Sequence, residues 1–480
     1  MSVNTTTRTG TVSSAISQLA AALLSNQQQP ITTLQSRVTA LNNRSSVLST
    51  LKTRLLALHD EAQTLARVGT LSPLSAKAAS VSDPSVLTAS ATTGAANSTT
   101  SITVSQLARR ATHVSDVLGD AGTAISSGGT GTFNFTVTIA GTNYNASVTI
   151  NGGDTDKTVL DNVAAAVTTA VGSAGSAVRV QPSSGQSRLS ISSASTGTAN
   201  KVTFTDTDGL LARLGVVHGS PTAATDTTGG YVYDDLGGHE LDAKLVVDGL
   251  TYYRDSNTVT DLLNGVTLTF KATSASPVTL KIQPDADGAV NELKTFIGKY
   301  NDAITYLKQA TVIDAKNNNF GPLTGDSLYV LLPSQLRAAE AAIVGSQAAG
   351  TPNSLAALGI QAGSDGTLSI TDESKLRDTF TANPTAVQNL FSAPDGVATQ
   401  LTAFVDRYSS FSGIIVGSQS SVKSQIGFLT DRISRMQTNL AKKQAALEQQ
   451  LARQEAMLNQ LAQQQTQIQN FISANASQGL

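Results

Sequence analysis

"LAKKQAALEQQLARQEAMLNQLAQQQTQIQNFI" (residues 440–472) decides how this chain is read. Leu440, Leu447, Leu461 and Ile468 fall on one seven-residue grid, interrupted only by Gln454. Leu451 and Leu458 broaden the stripe. An isolated helix cannot bury such a seam by itself, so this one needs a partner surface. The same pattern extends upstream through Val422, Ile426, Leu429, Ile433 and Met436. It predicts one helix from near Ser418, about 50 residues and about 75 Å long.

A second stripe lies near the other end. After Pro30, Ile31, Leu34, Val38, Leu41, Leu48, Leu55 and Leu58 recur at helical spacing. Leu34, Leu41, Leu48 and Leu55 are seven apart, which reads as a sustained narrow seam starting after Pro30 and bounded by Pro73. Gln and Lys dilute the C-terminal stripe at Lys443, Gln450, Gln454 and Gln464. Each buried Leu contributes about 1.5–3 kcal/mol, while polar seam positions weaken a coiled coil and set its register. Such helices are expected to be stable when assembled and mobile when free.

The interior reads as β. "SITVSQLA" (101–108) opens with a short strand, and "TFNFTVTIAGTNYNASVTI" (132–150) alternates apolar and polar residues around an "AGTN" turn. Helical spacing returns in "TVLDNVAAAVTTAV" (158–171), and strands are expected in "SAVRVQP", "SRLSISS" and "KVTFTD". That makes a ββαβββ-like unit, bracketed by Ser/Gly-rich residues 121–131 and Gly/Thr-rich residues 219–230 read as linkers. A second β region covers 243–272 and 277–284, and helical pattern resumes at Gly288. The order is helix, β insert, helix. The fold class is therefore α+β and multidomain, with the helical ends packing together or with other copies.

Composition narrows the function. The chain has 480 residues, a formal net charge of −2, only 14% charged residues, no Trp and no Cys. Roughly three domains are expected at this length. There is no basic footprint for nucleic acid or an anionic membrane. Disulfides, thiolate metal sites and cysteine nucleophiles are excluded. No apolar run reaches the ~20 residues of a membrane-spanning helix, and the N-terminal residues lack a cleaved-signal pattern.

Candidate chemical motifs fall short. His59, His113, His218 and His239 are scattered, and "HELDA" at His239 misses HExxH because Ala243 takes the second His position. Acidic stretches starting at Asp154, Asp206 and Asp285 lack the Gly and Glu of a calcium loop and read as turns. "GGTGTFN" from Gly128 precedes a strand and lacks a dinucleotide loop's third Gly. Ser420 and Lys423 match S-x-x-K without its companion motifs. No catalytic residue, metal ligand or cofactor site is assigned, and an enzyme is not expected.

Several separated stretches, in order, resemble the bacterial flagellar filament cap family, also called hook-associated protein 2. "SITVSQLARRA" (101–111) is similar to its strand motif after the N-terminal helix. "DAKLVVDGLTYYRDSNTVTDLLNGVTLTFKA" (242–272) resembles its most characteristic segment, with Asp248-Gly249, Ser256-Asn257 and Gly265 to Leu268 in place. "FIGKYNDAI", "GPLTGDS", "SLAALGI", "DGTLSI" and "NPTAVQNLF" follow in family order. One departure is "TVSSAISQLAAALL" where a Ser-Gly-Leu-Asp-type stretch usually stands; another is an extra residue in "LSITDESKL".

The resemblance implies a structural protein, exported without a cleaved signal peptide, forming a homo-oligomeric ring at the extracellular tip of the flagellum. Its partners would be other copies, flagellin, and an export chaperone before secretion. It implies a terminal coiled-coil leg from 1–42 and 430–480, and a helical stalk domain from 43–85 and 285–429. A β head domain from 86–118 and 228–284 would carry a second, inserted head domain, 119–227. The expected assembly seams are Leu34, Val38, Leu41, Leu48 and Leu55 in the N-terminal helix. In the C-terminal helix they are Ile433, Leu440, Leu447, Leu451, Leu458, Leu461 and Ile468. Alternatives are an adhesin for host mucin or glycans, and a related axial component such as a hook–filament junction protein.

Overall fold

The structure, a computed structural model, describes residues 6–217, 230–317 and 319–476. The chain forms two compact units, one from 1–68, 290–379 and 385–480, the other from 69–289 and 380–384.

The first unit is helical. Its N-terminal helix spans Thr6–Leu65 and runs through Pro30, so it begins well before the seam that is read after Pro30. Proline lacks a donor N–H and usually breaks a helix at a cost of about 3 kcal/mol. Here burial of Ile31 and Leu34 immediately downstream holds the continuation in place. From Leu48 the narrow seam widens into a core face: Leu48, Leu51, Leu55, Leu58, Ala62 and Leu65 are all fully buried. The helix Val397–Ser409 packs along this face. The helix Ala286–Thr311 contributes Val290, Leu293, Phe296, Tyr300, Ile304 and Leu307 to the buried interior.

The C-terminal helix runs Ile414–Ala476, 63 residues and about 95 Å. It begins four residues earlier than Ser418. Gly413 closes the preceding turn, where a Cβ would stand 2.7 Å from the Tyr408 carbonyl oxygen. Only glycine fits that approach.

The second unit holds two β bodies. The first has a five-stranded antiparallel sheet in the order Lys77–Val81, Val278–Pro284, Ser98–Gln106, Ala243–Val247, Leu250–Arg254. A three-stranded sheet, Thr258–Leu263, Val266–Phe270, Leu87–Ala91, completes it. Ile102, Val104, Leu245, Leu268, Leu280 and Ile282 fill the core. Alternate residues of each strand point inward, which is the period-2 pattern visible in the sequence. Asp248 and Gly249 turn the hairpin with φ of 48° and 87°, the left-handed pair of a type I′ turn. Asp248 Oδ1 also accepts the Ser101 N–H at 2.8 Å, tying that turn to the neighbouring strand.

The inserted body follows the ββαβββ order. Gly131–Ile139 and Thr142–Ile150 form a hairpin through Ala140-Gly141, and Val202–Thr205 pairs beside it. The helix Asp156–Val171 packs Val159, Leu160, Val163 and Val167 against Phe135, Ile139, Leu189 and Ile191. Gly175–Ser183 and Gln186–Ser193 form the second hairpin. Residues 121–131 are not a linker as composition suggested. They include the helical turn Ala124–Ser127, whose Ile125 is buried in the core. The buried carboxylate of Asp156 accepts the Ile125 N–H at 2.9 Å. The other expected linker, 219–230, lies outside the described residues apart from Gly230.

Strand pairing moves the sequence-based boundaries. Thr112–Val114 and Tyr231–Tyr233 pair with each other, and Thr112–Val114 also pairs with Gln186–Ser193 of the inserted body. Ala111 and Leu241 belong to its core, which therefore extends beyond 119–227. Lys77–Val81 pairs with Val278–Pro284, so these residues join the head sheet and not the helical stalk assigned to 43–85. Short strands complete their sheets through backbone hydrogen bonds, which composition does not report.

Candidate assembly surface

The helical termini meet within the first unit. Ile31, Leu34 and Ile433 form one buried cluster, flanked by Val38, Leu429, Met436 and Leu440. Ile31 and Leu34 cluster with Ile433, whereas Leu41 and Arg44, further along the first helix, share a cavity lining with Ser418, Ser421 and Gln425, so the helices run antiparallel. Of the expected N-terminal seam, Leu34, Val38 and Leu41 lie on this pairing, whereas Leu48 and Leu55 are fully buried in the multi-helix core. Those two side chains have no surface left for another copy.

On the C-terminal helix, Ile433 is buried, and Leu440, Leu447 and Leu451 are half-buried. Leu458, Leu461 and Ile468 are 65%, 51% and 59% exposed. Met457, Phe471 and Ile472 are exposed as well. The stripe thus passes from packed to open along one continuous helix.

An element that sequence reading missed locks the pair at its inner end. Asp326, within the "GPLTGDS" stretch, forms an ion pair with Arg44, and its Oδ1 accepts the Leu328 N–H at the start of the next helical turn. Tyr329 then donates its hydroxyl to Ser418 Oγ at 2.8 Å. Burial raises the Tyr329 phenol above its ordinary pKa, so it stays a donor at neutral pH. Arg44 and Asp326 lie 282 positions apart, so no local pattern in the sequence marks the pair.

The polar motifs serve structure. His239 Nδ1 lies 2.6 Å from Asp242 and its ring stacks on Tyr253, while Asp242 also accepts the Thr198 N–H at 2.7 Å. Asp154 accepts the Asn151 N–H, Asp206 the Ala212 N–H and Asp285 the Gly288 N–H, as expected of turns and helix starts. His59 sits between Asp60 and Asp406, and His113 is buried against the edge of Phe204. His218 lies outside the described residues. Among the described residues no three His, Asp or Glu side chains converge as for a metal ion, and no helix is long and apolar enough to cross a membrane.

The architecture is a helical unit built from both ends of the chain, with sheet bodies inserted between them in sequence and an open apolar stripe along the C-terminal helix. Comparison with known proteins makes the class specific. Residues 13–111 match the N-terminal region, and residues 241–463 the C-terminal region, of flagellar hook-associated protein 2. The chain belongs to that family, the flagellar cap proteins. The stretch between the two matches, 112–240, coincides with the inserted body bounded by Ala111 and Leu241.

The B-type flagellar hook-associated protein 2 of Pseudomonas aeruginosa PAO1 is 28% identical over 414 residues, covering 83% of each chain. The Salmonella typhimurium LT2 flagellar hook-associated protein 2 is 33% identical over 201 residues, 39% of this chain and 41% of that one. The crystal structure of the D1-D2-D3 domains of the Escherichia coli flagellar cap protein shares the fold. It has a TM-score of 0.54 at 23% identity, over 78% of this chain and 99% of that one.

Proposed function

We propose that copies of this chain form a ring at the extracellular tip of the flagellar filament. There they hold arriving flagellin until it folds into open positions, and prevent its loss. The observation that carries this reading is the helical rod made from both termini, whose apolar stripe opens toward the C-terminal end. A stripe with exposed Leu458, Leu461 and Ile468 is suited to contacts that form on assembly. Its neighbours in the ring and the flagellin helices beneath it would supply those contacts. A cytoplasmic export chaperone would cover the same stripe before secretion. Absence of Cys suits export as an unfolded chain.

The test is a strain lacking the gene, complemented with the full chain or with residues 1–439. Flagellin leaking as monomer from the deletion strain, and rescue by the full chain alone, is expected. Normal filaments in the deletion strain would refute capping and leave adhesion to mucin or glycans as the role to assay.

A further inference from the structure

A groove of about 650 Å³ opens along the antiparallel helix pair. Arg37, Ala40 and Leu41 line it from the N-terminal helix, and Ser424, Phe428 and Leu429 from the C-terminal helix. Phe428 is 61% exposed there. An aromatic side chain left half in water beside Leu41 and Leu429 gains by being covered.

The same helix holds an apolar segment that the chain's own pairing leaves open. Ile31 and Leu34 cluster with Ile433 in the chain's own pair, and Leu41 lines the groove with Leu429. Leu461, Ile468, Phe471 and Ile472 are each more than half exposed. Their spacing of seven, three and one places them on one helical face.

Charge indicates what covers the groove. From Ala456 to Ala476 the helix carries no charged residue, and its polar positions are Gln, Asn, Thr and Ser. The groove's polar walls are likewise uncharged, made of Ser421, Ser424 and Gln425, with Arg37 as its one charged lining residue. Glu455 immediately precedes the neutral segment, about 9 Å from Leu461 along the helix. It is placed to meet Arg37 when the segment lies in the groove.

From this we infer that the groove of one copy receives the Leu461–Ile472 segment of a second copy, with Glu455 of the incoming helix paired to Arg37. The segment cannot reach its own groove, because Phe428 and Ile468 are 40 residues apart on one straight helix, about 60 Å. The contact is heterologous, tail into groove, and a heterologous contact repeated with a closing rotation makes a ring. The placement deepens the capping proposal by naming a copy-to-copy contact, and its biological meaning rests on that proposal.

A chain without Cys makes the test direct. A tagged Phe428→Cys chain is mixed with an untagged Leu461→Cys chain and oxidised with copper–phenanthroline. The expected product is a disulfide-linked heterodimer of twice the 49.4 kDa chain mass. A disulfide demands Cα atoms within about 7 Å, so yield reports the contact itself. Phe411→Cys, at a residue 93% exposed outside the groove, serves as the control partner and is expected to give at least fivefold less. In the same assay Arg37→Glu and Glu455→Arg each lower the yield, and combining them restores it. Equal yields from Phe411→Cys and Phe428→Cys, no heterodimer, or no restoration by the charge swap would overturn the inference. All three sites are solvent-exposed, and circular dichroism of each variant verifies folding before cross-linking. Loss of the cross-link with flagellin retention intact in the deletion-strain assay would remove this contact while leaving capping in place.

Discussion

Asp156→Ala should destabilise the inserted body selectively. Asp156 is 2% exposed, and its two carboxylate oxygens accept the Ile125 N–H at 2.9 Å and the Ala124 N–H at 3.3 Å. Its own backbone N–H donates to the Gly122 carbonyl at 2.6 Å, so this one residue fixes the 122–125 segment to the helix. A hydrogen bond to a charged acceptor is worth about 1.5–3 kcal/mol, and a buried donor left unpaired costs about 1–3 kcal/mol. The 3.3 Å contact is the weaker, so the total should be about 3 kcal/mol. Asp156→Asn keeps one acceptor and should lose roughly half of that.

Hydrogen exchange followed by mass spectrometry suits a multidomain chain, where one melting temperature is not well defined. Peptides from Asp156–Val171 and Gln186–Ser193 should exchange about 100-fold faster in the alanine variant. Peptides from Ser98–Gln106, in the other sheet body, should be unchanged. Wild-type exchange in Asp156–Val171 would show that residues 121–131 contribute nothing to the core, and would return them to the linker that composition suggested.

Other outcomes follow from single contacts. Leu55→Ala, at a fully buried position, should cost about 2–5 kcal/mol, read by urea unfolding and by faster exchange across the helical unit. Arg44→Ala and Asp326→Asn each break a partly exposed ion pair, with side chains 30% and 18% accessible. A double-mutant cycle should return about 1 kcal/mol after solvent screening, and a coupling near zero would remove this lock from the helix pair. His113 has its pKa lowered by burial from 6.5 to about 4, so its 3.7 Å approach to Asp234 is no ion pair at neutral pH. Below pH 6.5 the unfolded chain takes up a proton that the folded one refuses. Stability should therefore fall between pH 6.5 and 4, by roughly 3 kcal/mol at most. Burial raises the Asp234 carboxyl and offsets part of this loss. Exchange of the inserted body measured at pH 7 and 5, corrected for intrinsic rates, should show a pH slope that His113→Gln flattens.

Much of the architecture was legible because it rests on local periodicity. Alternation in 132–150 specified a hairpin whose inward residues, Phe135, Val137, Ile139, Ala146, Val148 and Ile150, are all buried. Heptad spacing specified both terminal helices, and the ordered motifs from Ser101 to Phe391 identified the family before any coordinate was needed. Asp248-Gly249, read in the sequence only as part of the family's segment, forms a hairpin turn with positive φ at both positions.

What a stripe packs against was not legible. Leu34 and Leu48 share one heptad phase, yet Leu34 meets the C-terminal helix and Leu48 lies inside a multi-helix core. Periodicity states which face is apolar; the partner depends on residues hundreds of positions away in sequence. Pro30 shows the same limit, because a local breaker was outweighed by packing at Ile31 and Leu34. Residues 121–131 have a linker's composition, but Asp156, some thirty residues on, supplies an acceptor for their backbone. The sequence alone therefore determined the elements, their faces and the family. Tertiary structure decided the partners, the strand-completed domain edges and the Arg44–Asp326 lock, because each depends on groups brought together only when the chain folds.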